Sequence, residues 1–122
     1  MTLLQLIEKV KSHPRFSEAG MILCHNGIVR GTSRDGRAVR GLEVTVDVEQ
    51  LNDILESCRG RPGIIDVRIA INADRYLAVG EDVMYLVIAG DIRERVIDAL
   101  REVLDAVKTR ATRKTEYFID AG

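Results

Sequence analysis

The chain has no tryptophan, and only two phenylalanines, two prolines, two cysteines and two histidines in 122 residues. Each scarcity closes a class of function. So few aromatic rings leave an aliphatic core and too few stacking platforms for single-stranded nucleic acid, so no nucleic-acid partner is expected. Cys24 and Cys58 are too few for a disulfide framework. They fall in segments that read as a strand and a helix, where a free cysteine packs as a small buried apolar side chain. His13 and His25 have no carboxylate or cysteine partner at ligand spacing, which argues against a metal site and against Ser-His-Asp or Cys-His chemistry. No metal or resident cofactor is expected. Lys and Arg number 18 against 19 Asp and Glu, a formal net charge of -1, so no global field pulls the chain onto nucleic acid or an anionic membrane. Any anion site must be local. No apolar run approaches the roughly 20 residues of a membrane span. The first residues, where Glu8 and Lys9 interrupt the leucines, lack a signal-peptide pattern. A cytoplasmic protein with no membrane partner is expected.

With 46% hydrophobic and 30% charged residues, the composition is that of an ordinary globular chain, and residues 1–122 are read as one domain. Leu3, Leu6, Ile7 and Val10 form the apolar stripe of a first helix over residues 2–12, with Thr2 and Gln5 at capping-box spacing. An apolar strand follows from Met21, bulged at Gly27, with Arg30 at its far end. The polar stretch from Gly31 to Arg37, with its Asp-Gly step, reads as a turn-bearing connection to a second strand through Leu42, Val44 and Val46. Asp47 is placed to cap a helix whose stripe is Val48, Leu51, Ile54, Leu55 and Cys58. Ile65, Val67, Ile69 and Ile71 alternate with Asp66, Arg68, Ala70 and Asn72 as a strand with one wet face. A turn over 79–82 then leads into Val83–Ala89, apolar on both faces and therefore central. A long helix over about residues 92–109 starts with Asp91 and Glu94 at capping-box spacing. Tyr117-Phe118-Ile119 reads as a final strand. The fold class is α+β, with three helices packed on a mostly antiparallel sheet.

Lys108, Arg110, Arg113 and Lys114 make the one cation cluster that stands out. The plainest account is a solvated helix end whose cations complement the dipole. The functional account is that these cations, joined by Arg30 from a strand end, form a pocket for a phosphorylated or carboxylated ligand. Partial burial among other cations would also free a lysine amine to act as base or nucleophile.

The run Gly20-Met-Ile-Leu-Cys-His-Asn-Gly-Ile-Val-Arg30-Gly, the Val79-Gly80-Glu81-Asp82-Val83 turn and above all Val107-Lys108-Thr109-Arg110-Ala111 together resemble the large, catalytic subunit of molybdopterin synthase. The resemblance spans residues 20–116. It implies an α/β hammerhead-like fold and a central homodimer with a small ubiquitin-like sulfur-carrier subunit at each end. It also implies insertion of the carrier's C-terminal Gly-Gly thiocarboxylate into a pocket, where sulfur passes to cyclic pyranopterin monophosphate to form molybdopterin. Lys108 matches the family's catalytic lysine, Arg30 matches the arginine after the first strand, and Lys114 lies near the second family lysine. The expected site therefore has Lys108 and Lys114 as catalytic residues and Arg30, Arg93, Arg110 and Arg113 as substrate-binding residues.

Three departures from the family pattern are visible. Thr112-Arg113-Lys114 stands where the family has Pro-Phe-Trp-Lys, and is one residue shorter. Asp91-Ile92 stands where the family has a His-Arg pair at the start of the long helix, leaving Arg93 as a stand-in one position on. The sequence stops at Gly122 while family members continue, so part of the family's pocket is expected to be missing. These departures keep a second reading open: a non-catalytic dimeric paralogue that binds a pterin phosphate or a ubiquitin-like carrier protein.

Overall fold

Thr2 begins the first helix as its spacing predicts. Its hydroxyl accepts from the Gln5 N–H at 3.2 Å, while the Gln5 side-chain oxygen accepts from the Thr2 N–H at 2.8 Å. These reciprocal bonds satisfy two N–H groups that have no helical partner and start α1 (Leu3–Lys11). Asp47 caps α2 (Val48–Arg59) in the same manner, accepting from the Gln50 N–H at 3.1 Å. The computed structural model describes residues 1–119.

The third helix, α3 (Arg93–Ala106), departs from its expected start: Ile92 is the cap residue and no side chain caps it. Asp91 instead accepts from the Ile92 N–H at 2.7 Å and pairs with Arg95 at 2.9 Å. The cause is a tether, because the Asp91 N–H donates to the Gly63 carbonyl at 2.8 Å. That bond holds Asp91 just outside the cap position, so no box with Glu94 closes.

Six strands form, namely β1 (Met21–Ile28), β2 (Val39–Val46), β3 (Ile64–Ile71), β4 (Leu77–Ala78), β5 (Asp82–Gly90) and β6 (Thr112–Phe118). They divide between two three-stranded sheets, ordered β1-β5-β3 and β4-β2-β6, and every pairing is antiparallel. The α+β class holds, with the strands split between two sheets. The Asp35-Gly36 step makes its turn, with Gly36 at φ +88°. Yet β1 and β2 leave it for different sheets, and only Thr32 and Ala38 bridge beneath it. The turn before β5 likewise does not pair β4 with β5, since β4 joins β2 and β3 pairs with β5.

β5 is central in the first sheet, as its two apolar faces predict. Leu86 and Ile88 join the main core with Val96, Ala99 and Val103 of α3 and Ile54 and Leu55 of α2. Val87 and Ala89 point the other way, against Leu6 and Val10 of α1. A third cluster, Val29, Leu42, Val44 and Leu77, touches Ile71 and Val83 and so joins the two sheets.

Strict alternation fails in β3. A register shift between Ile64 and Asp66 inserts Ile65 as an extra residue, so Ile64 and Val67 face the α2/α3 core while Ile65 packs with α1. Asp66 lies on the second face with Ile65 and Ala70, and because α1 covers that face it is buried, only 1% exposed, instead of wet. It is held there by Arg59 at 3.3 Å, Arg68 at 2.9 Å and the Val67 N–H at 2.9 Å. The cysteines also separate: Cys58 is buried as expected, whereas Cys24 is exposed, because β1 is an edge strand of its sheet. Burial pushes the Cys58 thiol above the ordinary cysteine range, and partial desolvation by its neighbours does the same to Cys24. No helix among the described residues is long and apolar enough to cross a membrane.

Two outcomes follow from this packing. Leu86→Ala empties a fully buried position on the central strand and is expected to lower stability by about 3 kcal/mol, read as a shift of the urea midpoint at constant slope. A maleimide added at neutral pH should label Cys24 slowly in the folded protein and reach Cys58 only on unfolding, as mass spectrometry of each peptide would record.

Candidate functional site

The helical spacing of α3 extends past its last regular residue, but the backbone does not continue as an α-helix. Residues Val107–Ala111 form a single π-helical turn, and Thr112 enters β6 directly. Two buried residues anchor that turn, Val107 at 2% and Ala111 at 1% exposure. The Thr112 hydroxyl donates to the Val107 carbonyl at 3.0 Å, and the Asp47 N–H donates to the Ala111 carbonyl at 2.7 Å. The cation cluster is therefore no simple solvated helix end. Lys108 and Arg110 sit on the anchored turn, while Arg113 and Lys114 sit on a paired strand.

Strand alternation then separates the last two. Lys114 lies opposite Val44, a residue of the core that joins the sheets, while Arg113 lies opposite Thr45 on the outer face. The turn separates the first two, because Arg110 donates to the Gln50 side-chain oxygen at 3.1 and 3.3 Å, away from Lys108. Arg93 stands exposed on the first turn of α3, 3.8 Å from Glu94.

Lys108 and Lys114 line one cavity of about 650 Å³, and Arg30 from the end of β1 lines it with them. Arg93, Arg110 and Arg113 do not. Lys108 is exposed, without the partial burial the sequence suggests, so the geometry supports a solvated cation at that position. Among the described residues neither Arg30 nor Lys108 is in an ion pair, whereas Lys114 stands 3.7 Å from Glu116. Leu42, Val44, Ile71 and Val83, where the two sheets meet, give the cavity apolar lining. Asp105 and Glu116 contribute its carboxylates. Such a chamber, with cations on several sides and apolar lining between them, suits an anion carried on a planar or apolar body.

Besides the carboxylates Asp105 and Glu116, sequence reasoning missed two basic residues of this cavity. His25 lines it from β1, half-buried. The available signal is the alternation that puts His25 on the same face as Gly27, whose missing side chain leaves room beside the imidazole; a Cβ there would stand 3.5 Å from Nε2. Arg34 lines it from the connection between β1 and β2, and its spacing from Arg30, four residues earlier in a polar run, is the only signal. Among the described residues no three His, Cys, Asp or Glu side chains gather as a metal-holding group.

A family model described as MoaE protein matches residues 3–110. The chain belongs to the MoaE family. No curated protein matches it. Its structure is similar to molybdopterin cofactor biosynthesis protein E from Burkholderia multivorans, with a TM-score of 0.75 at 25% identity over 99% of this chain and 85% of that one. It is also similar to molybdopterin synthase from Staphylococcus aureus, with a TM-score of 0.71 at 18% identity over 85% and 78% of the two chains. A third similar structure is a complex of subunits 1 and 2 of the molybdopterin-converting factor from Helicobacter pylori, with a TM-score of 0.68 at 14% identity over 99% and 86%. MoaE membership supports a role in molybdenum cofactor biosynthesis.

A cation cluster in a chain of nearly zero net charge binds anions through short-range fields. Pyrophosphate is therefore expected to raise the melting temperature at low salt. The shift should shrink as sodium chloride rises and the Debye length falls from about 30 Å at 0.01 M to about 8 Å at 0.15 M. Lys114→Ala should reduce the shift and Arg113→Ala should leave it unchanged, both read by thermal denaturation.

Proposed function

We propose that this MoaE-family protein is the sulfur-transferring large subunit of a molybdopterin synthase. In this reading it is a cytoplasmic homodimer that receives the thiocarboxylated C-terminus of a small ubiquitin-like carrier and acts on cyclic pyranopterin monophosphate. The observation that carries the reading is the convergence of Arg30, Lys108 and Lys114 on one cavity from three separate chain segments.

The reaction brings two anions together, the carrier's thiocarboxylate and the phosphate of the precursor, and it develops further negative charge as sulfur bonds to carbon. Fixed cations stabilise that charge without reorganising at the moment of reaction. At an effective dielectric constant of about 20, as near a protein surface, a unit charge 4 Å from an opposite one is worth about 4 kcal/mol. Lys108, with no carboxylate partner among the described residues, is the cation assigned to the developing charge. Lys114, steadied 3.7 Å from Glu116, is assigned to the carrier terminus. Arg30 is assigned to the precursor's phosphate, whose oxygens match a guanidinium fork. The thiocarboxylate sulfur bonds to a precursor carbon as that carbon gives up the oxygen it carried; water then adds to the carrier's acyl carbon, breaking its bond to sulfur and leaving a carboxylate, and a second carrier repeats the step to supply the second sulfur. Arg93, Arg110 and Arg113 lie outside the cavity and have no part in this mechanism.

One observation favours the non-catalytic paralogue as second reading. Asp91, with its ion pair to Arg95, occupies the helix start where the family carries a His-Arg pair.

Single-turnover conversion of the precursor with a thiocarboxylated carrier tests the proposal. The wild type should form molybdopterin, Lys108→Ala should slow it about 100-fold or more, and Arg113→Ala should change the rate less than about threefold. Binding of carrier and precursor by the wild type with no product would establish the non-catalytic reading instead.

A further inference from the structure

The connection between β1 and β2 is shorter on freedom than its polar sequence suggests. Thr32 and Ala38 bridge its base. Inside it the Ser33 N–H donates to the Arg37 carbonyl at 2.9 Å, the Gly36 N–H donates to the Ser33 carbonyl at 3.0 Å, and the Arg37 N–H donates to the Ser33 hydroxyl at 3.1 Å. Ser33 is only 6% exposed, and its hydroxyl donates to the Asp35 carboxylate. That bond, above all, holds the Asp35 carboxyl below its ordinary range, so this neighbouring charge is already engaged. The turn thus has one internally bonded conformation, and it carries Arg34 on the cavity wall, in the same connection as Arg30. Among the described residues Arg34 has no ion pair or side-chain hydrogen bond.

Charge balance in the cavity gives this fourth cation a purpose. Arg30, Arg34, Lys108 and Lys114 face Asp105 and Glu116, a surplus of two positive charges. A cyclic phosphate diester and a thiocarboxylate carry one negative charge each, so the surplus matches both together. Without Arg34 it would match only one. The side chains also divide by chemistry: the β1–β2 connection supplies two guanidiniums, and the π turn with β6 supplies two ammoniums. A guanidinium binds two phosphate oxygens at once in a fixed plane, whereas an ammonium is a compact point charge.

We infer that Arg34 is a substrate-specificity residue of this cavity: with Arg30 it forms a guanidinium pair that takes the phosphate of the pterin precursor, leaving Lys114 for the terminal anion of the carrier and Lys108 for the charge that develops during transfer. This assignment rests on the sulfur-transfer reading above and adds to it a residue that neither the cation cluster nor the family likeness singles out.

The test measures binding of cyclic pyranopterin monophosphate, of a pterin without phosphate and of thiocarboxylated carrier, by calorimetry, to the wild type, Arg34→Gln and Arg34→Lys. Arg34→Gln should weaken precursor binding about tenfold or more, as loss of a charge-assisted hydrogen bond does. It should leave carrier binding and binding of the phosphate-free pterin within about twofold of wild type, and Arg34→Lys should recover only part of the loss. In turnover, Arg34→Gln should raise the KM for precursor more than it lowers kcat. If the wild type binds precursor and Arg34→Gln binds it within twofold, the Arg34 assignment falls and the sulfur-transfer reading stands. Equal weakening toward the phosphate-free pterin, or loss of carrier binding alone, overturns the assignment as well. If the wild type binds neither precursor nor carrier, the reading of the cavity falls and takes Arg34 with it.

Discussion

The candidate site depends on how α3 is joined to β6. Lys108 and Lys114 are six residues apart, which on an uninterrupted α-helix would place them about 120° apart around the axis. The π turn removes that constraint by ending the helix between two buried anchors, Val107 and Ala111. Its last carbonyl is held by the Asp47 N–H at the start of α2. The chain then enters a strand, where every second side chain shares a face, and Lys114 comes round to the cavity that Lys108 already lines. A π turn is uncommon and costs regular hydrogen bonding, and such turns recur at functional positions. Here two anchored side chains and two hydrogen bonds offset that cost, and the result is the convergence of two lysines.

The cavity itself exists because the strands divide between two sheets. Val29, Leu42, Val44 and Leu77 close the junction, with Ile71 and Val83 reaching in from the ends of β3 and β5. Polar groups line the space beyond them. The same division carries β1 and β2 apart and stretches the connection between them across the cavity wall, so that Arg30 and Arg34 are delivered there. Had β1 and β2 paired as a simple hairpin, both arginines would sit at a solvated tip.

The elements were legible wherever local chemistry decides them. Thr2 with Gln5, Asp47 with Gln50 and the two apolar faces of β5 can be read directly, because each needs only neighbours in sequence. Misreadings arose where a distant group intervenes. Asp91 cannot cap α3 because Gly63, far off in sequence, holds its N–H. Asp66 lies inside because α1, distant in sequence, covers the face of β3 that alternation leaves wet, and one extra residue turns Ile65 to that same face. The cavity lysines and Arg30 are legible as part of a cation cluster, and likeness to a family motif assigns them catalytic and substrate-binding positions. Arg34 was missed because its place depends on β1 and β2 entering different sheets, which no spacing reveals. Arg113 was grouped with Lys114 on charge alone, though adjacent strand residues face opposite ways.

Several cations and one anion-attracting helix end outside the cavity are already engaged. The N-terminus of α3, an end where backbone N–H groups favour negative charge, is already served by the Asp91 carboxylate, which accepts from Ile92 and pairs with Arg95. Arg59 and Arg68 are engaged by buried Asp66, Arg61 by Glu102, and Arg110 by Gln50. With a net charge of -1, the protein exerts no long-range pull on an anionic ligand, and fields from exposed charges fade within about 8 Å at physiological salt. A ligand is therefore recognised only once it is in the cavity, where the cations outnumber the carboxylates. Selection then rests on shape and on cations at close range, which is what the proposed passage of an atom between two anions requires.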